Sequence, residues 1–368
     1  MRPVAWRRRT LTAERSTLRQ AGTEPKASTG EVTMKFGLYS SIANPPRGEG
    51  LDRCIDEVIA EAQLAEAVGF DSCFFGEHHQ DRDGFLPSPL IVATAVAART
   101  SRLKVGTSVI LLPLHHPVRV AEDVITLDLV SKGRVILGVG IGYQPADFRA
   151  FSVPMEDRAG RFEEGIAILR RAWAGESFSF HGKHYALEEV QVLPRPHQRG
   201  GPPLWIGASI DAAARRAGRI ADGFVGTPST GMENAVHLAE VYREAARAAG
   251  RPAEVIQMRD AWVARSRAEA DAVYGPHVMA AYRYYWENRL AEFRHLAAGS
   301  AFTLENLAPD RLILGDPESC VREFRRWQNA TGASTFLLRL RHAHSGGPPH
   351  DKIMEAIRLF GERVLPDL

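Results

Sequence analysis

The sequence lacks the features of disulfide-rich, membrane-spanning and polyanion-binding proteins. Its three cysteines are too few and too scattered for a disulfide framework, and they suit a reducing compartment. None of its apolar runs approaches the roughly 18 residues that a membrane-spanning helix needs. The net charge is only +2, from 46 basic and 44 acidic residues, which implies no nucleic acid as partner. We therefore expect a cytoplasmic protein that binds neither nucleic acid nor membrane.

The first 33 residues differ in composition from the rest of the chain. They hold seven Lys or Arg and three Glu, without apolar periodicity and without the apolar stretch of a secretory signal. We interpret residues 1–33 as a disordered basic leader, or as sequence in front of a true start at Met34. A transit peptide is the second interpretation, because the segment is rich in Arg and poor in acidic residues. A nucleic-acid-binding arm is the third, and nothing downstream supports it.

The stretch 103–144 has the pattern of one βαβ unit. A continuous apolar run (103–112) precedes apolar residues at spacings of three and four between Val118 and Leu129, and a second apolar run begins at Val135. Both runs are apolar throughout, as expected for parallel strands that are buried on both faces. Each run ends in small or polar residues, which suit a ligand site at the strand ends.

The alternation of strand and helix continues through the chain. Eight predicted strands are each followed by a predicted helix, and the strands are 34–40, 70–76, 103–112, 135–142, 203–207, 222–225, 255–263 and 335–340. Regular alternation at this count is typical of an α/β protein with a single (β/α)8 TIM barrel, rather than an open doubly wound sheet. Two insertions accompany it, a hairpin at 177–193 and an aromatic-rich segment at 266–310. We predict one domain over 34–368.

A ligand site in such a barrel lies at the carboxyl ends of the strands. The strand count alone puts seven segments at this rim, namely 40–41, 77–79, 108–116, 138–144, 207–209, 226–227 and 342–347. These segments contain the residues from which we choose the candidates for chemistry.

Three glycines at the end of the fourth predicted strand resemble a dinucleotide-binding motif. Gly138, Gly140 and Gly142 have the spacing G-x-G-x-G, and Tyr143 stands where the third glycine of that motif would be. We therefore reject a Rossmann site. Two interpretations remain open: the glycines let the backbone turn at a crowded rim, or they let it approach a flat ligand closely.

His78 is the candidate catalytic residue. It directly follows the second predicted strand beside Glu77, and a neutral imidazole at the barrel mouth can accept or donate a proton near neutral pH. A metal site is the weaker alternative, because adjacent histidines on a strand face opposite sides and the HExxH motif is absent. His342 and His344 would share a face, but the carboxylates of a metallohydrolase are missing at the strand ends. We expect no metal site.

Ser209 ends the fifth predicted strand just before a helix that begins near Ala212. The free N–H groups of a helix N-terminus, together with a hydroxyl, can bind a phosphate. The simpler interpretation is that Ser209 or Asp211 caps the helix. The position beside the glycine rim favours a phosphorylated cofactor.

Several motifs, taken in order, resemble the bacterial-luciferase-like flavin oxidoreductases over 34–366. The matching segments are MKFGLYSS, GFDSCFFGEHH, the whole stretch 103–148, LPRPHQRGGPPLWIGAS and LGDPESCVREFRRWQNATGASTFLLRL. The run HPVRVAEDVITLDLVSKGR is specific to that family. The resemblance implies a TIM barrel that binds FMN, or the related deazaflavin coenzyme, across the strand ends.

The resemblance also implies roles for individual residues. His78 matches the active-site histidine, and Ser108–Val109 matches a non-prolyl cis peptide beneath the flavin ring. The segment Gly140, Ile141, Gly142 and Tyr143 lies beside the cofactor, and Gly207, Ala208 and Ser209 match part of its phosphate site. Flavin-using relatives usually carry Arg in the position of Ile141, and Gly140 replaces the reactive cysteine of luciferase.

We accordingly predict a flavin-dependent monooxygenase. It would oxidise a small organic substrate with O2 and reduced FMN, which a separate reductase supplies because no NAD(P)H motif is present. The alternatives are a deazaflavin-dependent dehydrogenase or reductase, and a flavin-binding protein without turnover, which Ile141 motivates. The apolar helices 90–100 and 117–131 match the family's dimer region, so we expect a homodimer. The aromatic segment 274–293 either covers the pocket or only packs between helices.

Overall fold

Eight parallel strands close into a barrel in the computed structural model, which describes residues 33–287, 293 and 302–368. The strands are β1 (Lys35–Ser40), β2 (Ser72–Phe75), β3 (Lys104–Leu111), β4 (Val135–Gly140), β5 (Phe178–His181), β6 (Ala186–Val190), β7 (Leu204–Ala208), β8 (Gly223–Gly226), β9 (Glu254–Val263), β10 (Leu312–Gly315) and β11 (Thr335–Arg341). The barrel order is β1-β2-β3-β4-β7-β8-β9-β11, and β11 pairs with β1 to close it. The (β/α)8 prediction is confirmed.

Helices connect successive barrel strands and cover the outside. They are α1 (Leu51–Val68), α2 (Pro89–Ala97), α3 (Pro117–Ser131), α4 (Pro145–Ala150), α5 (Arg158–Ala174), α6 (Asp211–Ile220), α7 (Met232–Ala248), α8 (Arg267–Glu287), α9 (Leu304–Leu307), α10 (Pro317–Thr331) and α11 (His350–Arg363). Glycines in the left-handed conformation end several of them, as Gly69 does for α1 and Gly332 for α10. Within the described ranges, no helix has both the length and the apolar character to cross a membrane.

Two apolar layers explain why the strands lack alternation. One cluster fills the barrel itself: Tyr39, Phe74, Ile136, Trp205, Val225, Ile256, Met258 and Leu337. A larger cluster fills the space between the strands and the surrounding helices, with Phe36, Phe324 and Phe360 in mutual ring contact. Each strand is therefore buried on both faces, as its continuous apolar run predicts.

The structure differs from the sequence prediction in two short elements. The strand β10 was not predicted, because four residues are too few to show a period, and it pairs only with the end of the long strand β9. The short helix α4, between β4 and α5, was not predicted either. The hairpin predicted at 177–193 is present as β5 and β6. The predicted leader lies outside the described residues except for Thr33, as do 288–292 and 294–301 of the aromatic insertion.

Polar side chains fasten the end of the barrel at which the strands begin. The carboxylate of Glu66, in α1, accepts hydrogen bonds from three consecutive backbone N–H groups at the start of β3, those of Ser101, Arg102 and Leu103. These bonds lower the pKa of Glu66 against the opposing effect of burial. Arg134, just before β4, donates to the carbonyls of Ala97, Thr100, Leu103 and Ser131. This end is built from side-chain bonds to backbone groups that the helices and strands leave unpaired.

Candidate active site

One cavity at the carboxyl ends of the barrel strands brings together the residues selected from the sequence. Ten residues were selected, and all of them line it: His78, Ser108, Val109, Gly140, Ile141, Gly142, Tyr143, Gly207, Ala208 and Ser209. A pocket of this kind, with a few polar groups in a mainly apolar wall, is the usual form of a small-molecule site. The roles of these residues toward a cofactor stay predictions.

The wall formed by β3 is shaped by the peptide bond between Ser108 and Val109, which is cis. The pairing of β3 with β4 shifts register at this point. The Val109 side chain lies over two glycines: a Cβ on Gly140 would lie 2.4 Å from its Cγ2, and one on Gly207 would lie 3.0 Å from its Cγ1. No side chain can project from β4 at Gly140 without moving Val109. The result is a flat apolar surface, as expected if the glycines serve a crowded rim. Close approach of a flat ligand to them stays a prediction.

His78 faces this surface from the end of β2. Its Nδ1 accepts a hydrogen bond from the side-chain amide of Gln144 at 3.2 Å, and its ring contacts Phe85 edge-on at 4.9 Å between centroids. The surrounding protein lowers the pKa of His78 to about 4 by burial, and the nearby His344 lowers it in the same direction. The imidazole is therefore neutral at pH 7, and it carries its proton on Nε2 because Nδ1 accepts.

Glu77 and two histidines form a polar cluster behind His78. His79 Nε2 lies 2.8 Å and His115 Nε2 lies 2.6 Å from Glu77 Oε1. These are hydrogen-bond separations, whereas donor atoms that share a tetrahedral zinc at ~2.0–2.1 Å each would lie roughly 3.3 Å apart. The side chains of the cluster thus satisfy one another directly. Glu77 and His79 lie in a rim segment that was predicted from the sequence. Their contact with His115 was not predicted.

The two histidines considered as a metal pair have separate surroundings. His342 is fully buried, and its Nε2 lies 2.7 Å from the hydroxyl of Tyr274. His344 stacks on Tyr284 with 3.5 Å between ring centroids and approaches Asp83. The two imidazoles therefore do not share a carboxylate partner.

A buried ion pair in the opposite wall was not selected from the sequence. Arg339, on β11, donates from Nε and Nη2 to the two carboxylate oxygens of Asp260, on β9, at 2.6 and 2.8 Å. Its Nη1 donates to the hydroxyl of Tyr285 at 2.8 Å, and both Arg339 and Tyr285 line the cavity. Burial raises the pKa of Asp260, but Arg339 outweighs this and holds it low, so the pair stays ionised. A charged residue in the middle of the apolar run 335–340 was the signal that could have found it.

Tyr285 also locates part of the aromatic insertion. It belongs to α8, whose neighbouring residue Tyr284 donates to Asp81 in the loop after β2 at 3.4 Å. The described part of the insertion therefore forms one wall of the cavity. Its action as a lid stays a prediction.

The end of the cavity near β7 and β8 has the features of an anion site without a cation. The helix α6 begins after Ile210 with no side-chain cap, so its first N–H groups are not used by Ser209 or Asp211. The next loop, 227–230, is held from behind by Arg259, which donates to the carbonyl of Thr230 at 2.7 Å. Among the described residues that line the cavity, Arg339 is the only Lys or Arg, and Asp260 neutralises it. If this end binds a phosphate, as predicted, neutral donors would have to hold it.

The lining of the cavity is compatible with a flat, phosphorylated cofactor. At Gly140 its apolar wall leaves no room for a side chain unless Val109 moves, and the hydroxyl of Ser108 is buried in it without a hydrogen-bond partner among the described residues. A ligand atom would satisfy that hydroxyl.

A family model described as luciferase-like monooxygenase matches residues 34–334.

The chain belongs to the luciferase-like monooxygenase family. Two similar proteins differ in the reaction that their names give. An F420-dependent glucose-6-phosphate dehydrogenase from Microbacterium testaceum is 29% identical over 92% of this chain and 98% of its own length. The crystal structure of monooxygenase RslO1 from Streptomyces bottropensis is 28% identical, with a TM-score of 0.80 over 90% of this chain and 99% of that one.

A more distant likeness shows the fold alone. The oxygenating constituent of 3,6-diketocamphane monooxygenase from Pseudomonas putida, solved in complex with FMN, is 22% identical. Its TM-score is 0.75, over 91% of this chain and 98% of that one. The dehydrogenase from Microbacterium testaceum and the monooxygenase from Streptomyces bottropensis are both oxidoreductases by name.

Proposed function

We propose that this protein is a flavin-dependent monooxygenase that uses reduced FMN and O2 to oxidise a small organic substrate. One observation carries the proposal: the flat apolar wall of Val109, Gly140 and Gly207 faces a neutral His78 across a cavity. A planar tricyclic ring has the shape and the apolar faces that this wall accommodates. The full-length similarity to a monooxygenase from Streptomyces bottropensis supports the same conclusion.

The residues of the cavity divide the work between holding, orienting and excluding water. Bound reduced FMN would supply the electrons with which O2 is activated. Val109 and the two glycines would support the ring, while the backbone of 207–209 and the Ser209 hydroxyl would hold the phosphate. His78 can donate from Nε2 or, once that proton is lost, accept one there. Leu111, Ile141, Val225 and Met258 keep water away from the reacting atoms.

The partners follow from the same proposal. A separate reductase supplies the reduced flavin, since the sequence carries no dinucleotide motif. A second copy of the chain is the proposed partner for α2 and α3, where Ile91 is 71% exposed and Leu129 and Val130 are each 42% exposed. We keep the prediction that the protein works in the cytoplasm.

Anaerobic binding of photoreduced FMN, followed by mixing with O2, tests the proposal. We expect reduced FMN to bind more tightly than oxidised FMN, and a substrate panel to include one compound that gains an atom of isotopically labelled O2. A protein that binds neither form of FMN, or that only produces hydrogen peroxide with every compound, would contradict it. His78→Ala separates turnover from mere binding, because a carrier would not depend on that imidazole.

A deazaflavin-dependent dehydrogenase is the second candidate. One observation favours it: the relative from Microbacterium testaceum matches over nearly its whole length. Parallel titrations with FMN and with coenzyme F420 distinguish the candidates. Tight binding of F420 alone, with substrate-dependent reduction under anaerobic conditions, would establish the second in place of the first.

A further inference from the structure

The side chain of Glu77 touches both walls of the cavity although only its backbone borders His78. It is completely buried, and its Oε1 accepts hydrogen bonds from the Nε2–H groups of His79 and His115. Its Oε2 accepts the backbone N–H of Leu111. His79 follows β2, whereas Leu111 ends β3 and His115 lies just beyond it. A single carboxylate thus connects the ends of two barrel strands.

The two connected strand ends are those that carry the predicted chemistry. His78 lies between Glu77 and His79 in the chain, and Leu111 lies two residues after Val109. Phe151 covers the cluster, with ring centroids 4.6 Å from His79 and 6.0 Å from His115. Movement of either strand end would break at least one bond to the carboxylate.

The charge of Glu77 makes these bonds strong. Burial raises its pKa, but the hydrogen bonds from His115 and His79 outweigh burial and lower the pKa to about 2. In the described ranges of the chain, its ion-pair partners are these two imidazoles and include no Lys or Arg. Hydrogen bonds to an ionised acceptor are roughly twice as strong as neutral ones, and a buried carboxylate cannot give them up without a large cost.

We propose that Glu77 is a positioning residue that fixes His78 and the Ser108–Val109 peptide relative to each other across the cavity. The expected effect of Glu77 on catalysis rests on the proposed function. Its expected effect on the positions of the two strand ends does not. Glu77 would act through its hydrogen bonds to the two strand ends rather than by contact with a reacting group.

Glu66 provides a matched control at the other end of β3. It too is a glutamate that accepts hydrogen bonds from three residues, in this case from the backbone N–H groups of one short segment, and it lies on the side of the barrel away from the cavity. Glu77→Gln and Glu66→Gln each replace one acceptor oxygen by a donor amide. Both variants should lose stability, so a drop in Tm alone says nothing about positioning.

Three readouts separate the two variants. Reduced FMN should bind about tenfold or more weakly to Glu77→Gln, a change of roughly 1.4 kcal/mol, and with unchanged affinity to Glu66→Gln. Amide exchange should accelerate at 107–112 in the first variant and at 101–105 in the second. The titration of His78, followed by NMR of labelled histidine, should move to lower pH only in Glu77→Gln, because the Glu77 charge raises the pKa of His78.

The amide-exchange and titration readouts need no cofactor, so they decide the inference even if the flavin proposal fails. Wild-type protein that binds no flavin would end the proposed function and leave this test intact. Equal behaviour of the two variants in exchange at 107–112 and in the His78 titration would overturn the positioning role. Stoichiometric zinc in the purified wild type, lost in His115→Gln, would overturn it as well, since Glu77 would then be a metal ligand.

Discussion

The two ends of β3 use the same device for different purposes. At its start Glu66 accepts three consecutive backbone N–H groups, and no residue of the cavity takes part. At its end Glu77 accepts one backbone N–H and two imidazole N–H groups, and the chain around it forms the cavity wall. The first arrangement secures a strand to a helix. The second secures two strand ends to each other beside a histidine.

The comparison extends to the glycines of neighbouring strands. Gly106 lies in the middle of β3, where a Cβ would lie 1.9 Å from the carbonyl oxygen of Ile136. Gly140 ends β4, where a Cβ would meet only a methyl group of Val109. The first close approach is to backbone and belongs to the barrel, while the second is to a side chain of the cavity. We expect changes at the start and middle of the strands to affect folding, and changes at their ends to affect ligand binding.

The largest effect is expected for Gly106→Ala. The new methyl group cannot avoid the backbone of β4, so the two strands must separate, at a cost of roughly 3 kcal/mol or more. Chemical denaturation should show this loss, or the variant should fail to accumulate as folded protein. Gly231→Ala is the control, because its Cβ has no neighbour closer than 3.8 Å. Equal stability of the two variants would contradict the close packing of β3 against β4.

The next effect concerns pH and arises at the cavity end. Burial in the folded protein lowers the pKa of His78 to about 4, from 6.5 for an unperturbed imidazole. The unfolded chain therefore binds more protons between these values, so stability is highest above about pH 6.5 and falls by roughly 3 kcal/mol as the pH drops toward 4. Denaturation midpoints should fall over this range in the wild type and fall less in His78→Gln. Parallel curves for the two proteins would show that His78 titrates normally.

A smaller effect, on binding alone, is expected for Gly140→Ala. The added methyl group displaces Val109 from the flat wall, and overpacking of this kind costs about 1–2 kcal/mol, or roughly five- to thirtyfold in affinity for reduced FMN. Stability should change much less than in Gly106→Ala. A variant with normal affinity and a lowered Tm would show that Gly140 contributes to stability and not to binding. The proposed difference between the interior and the cavity end of the strands would then be wrong.

The smallest effect is a gain, expected for Ile141→Arg. This residue lines the cavity, and if FMN binds there as proposed, a guanidinium at this position should strengthen its binding by about 1.4 kcal/mol, or roughly tenfold. The gain should shrink as salt is added, because the interaction is partly screened. Ile141→Gln is the neutral control of similar reach. If both variants bind FMN equally, the phosphate does not lie at this end of the cavity.

The sequence predicted the barrel because its signal is local. Apolar runs for buried parallel strands, helical spacing and glycine stops can each be read within about fifteen residues, and the eight strands repeat them. The site residues followed from one rule, that ligands bind at the carboxyl ends of the strands, and from the family motifs. The strand β10 was not predicted, because four residues are too few to show a hydrophobic period.

By itself, then, the sequence determined the (β/α)8 fold, the rim segments and the family, since each depends on neighbours along the chain. Only the tertiary structure decided which side chains meet across that rim. Glu77 and His115 are 38 residues apart, and Asp260 and Arg339 are 79 apart. Their contacts depend on how adjacent strands are registered and on which way each side chain points at a strand end. A shift of one residue in a strand would turn those groups to the opposite face, and no local pattern records that choice.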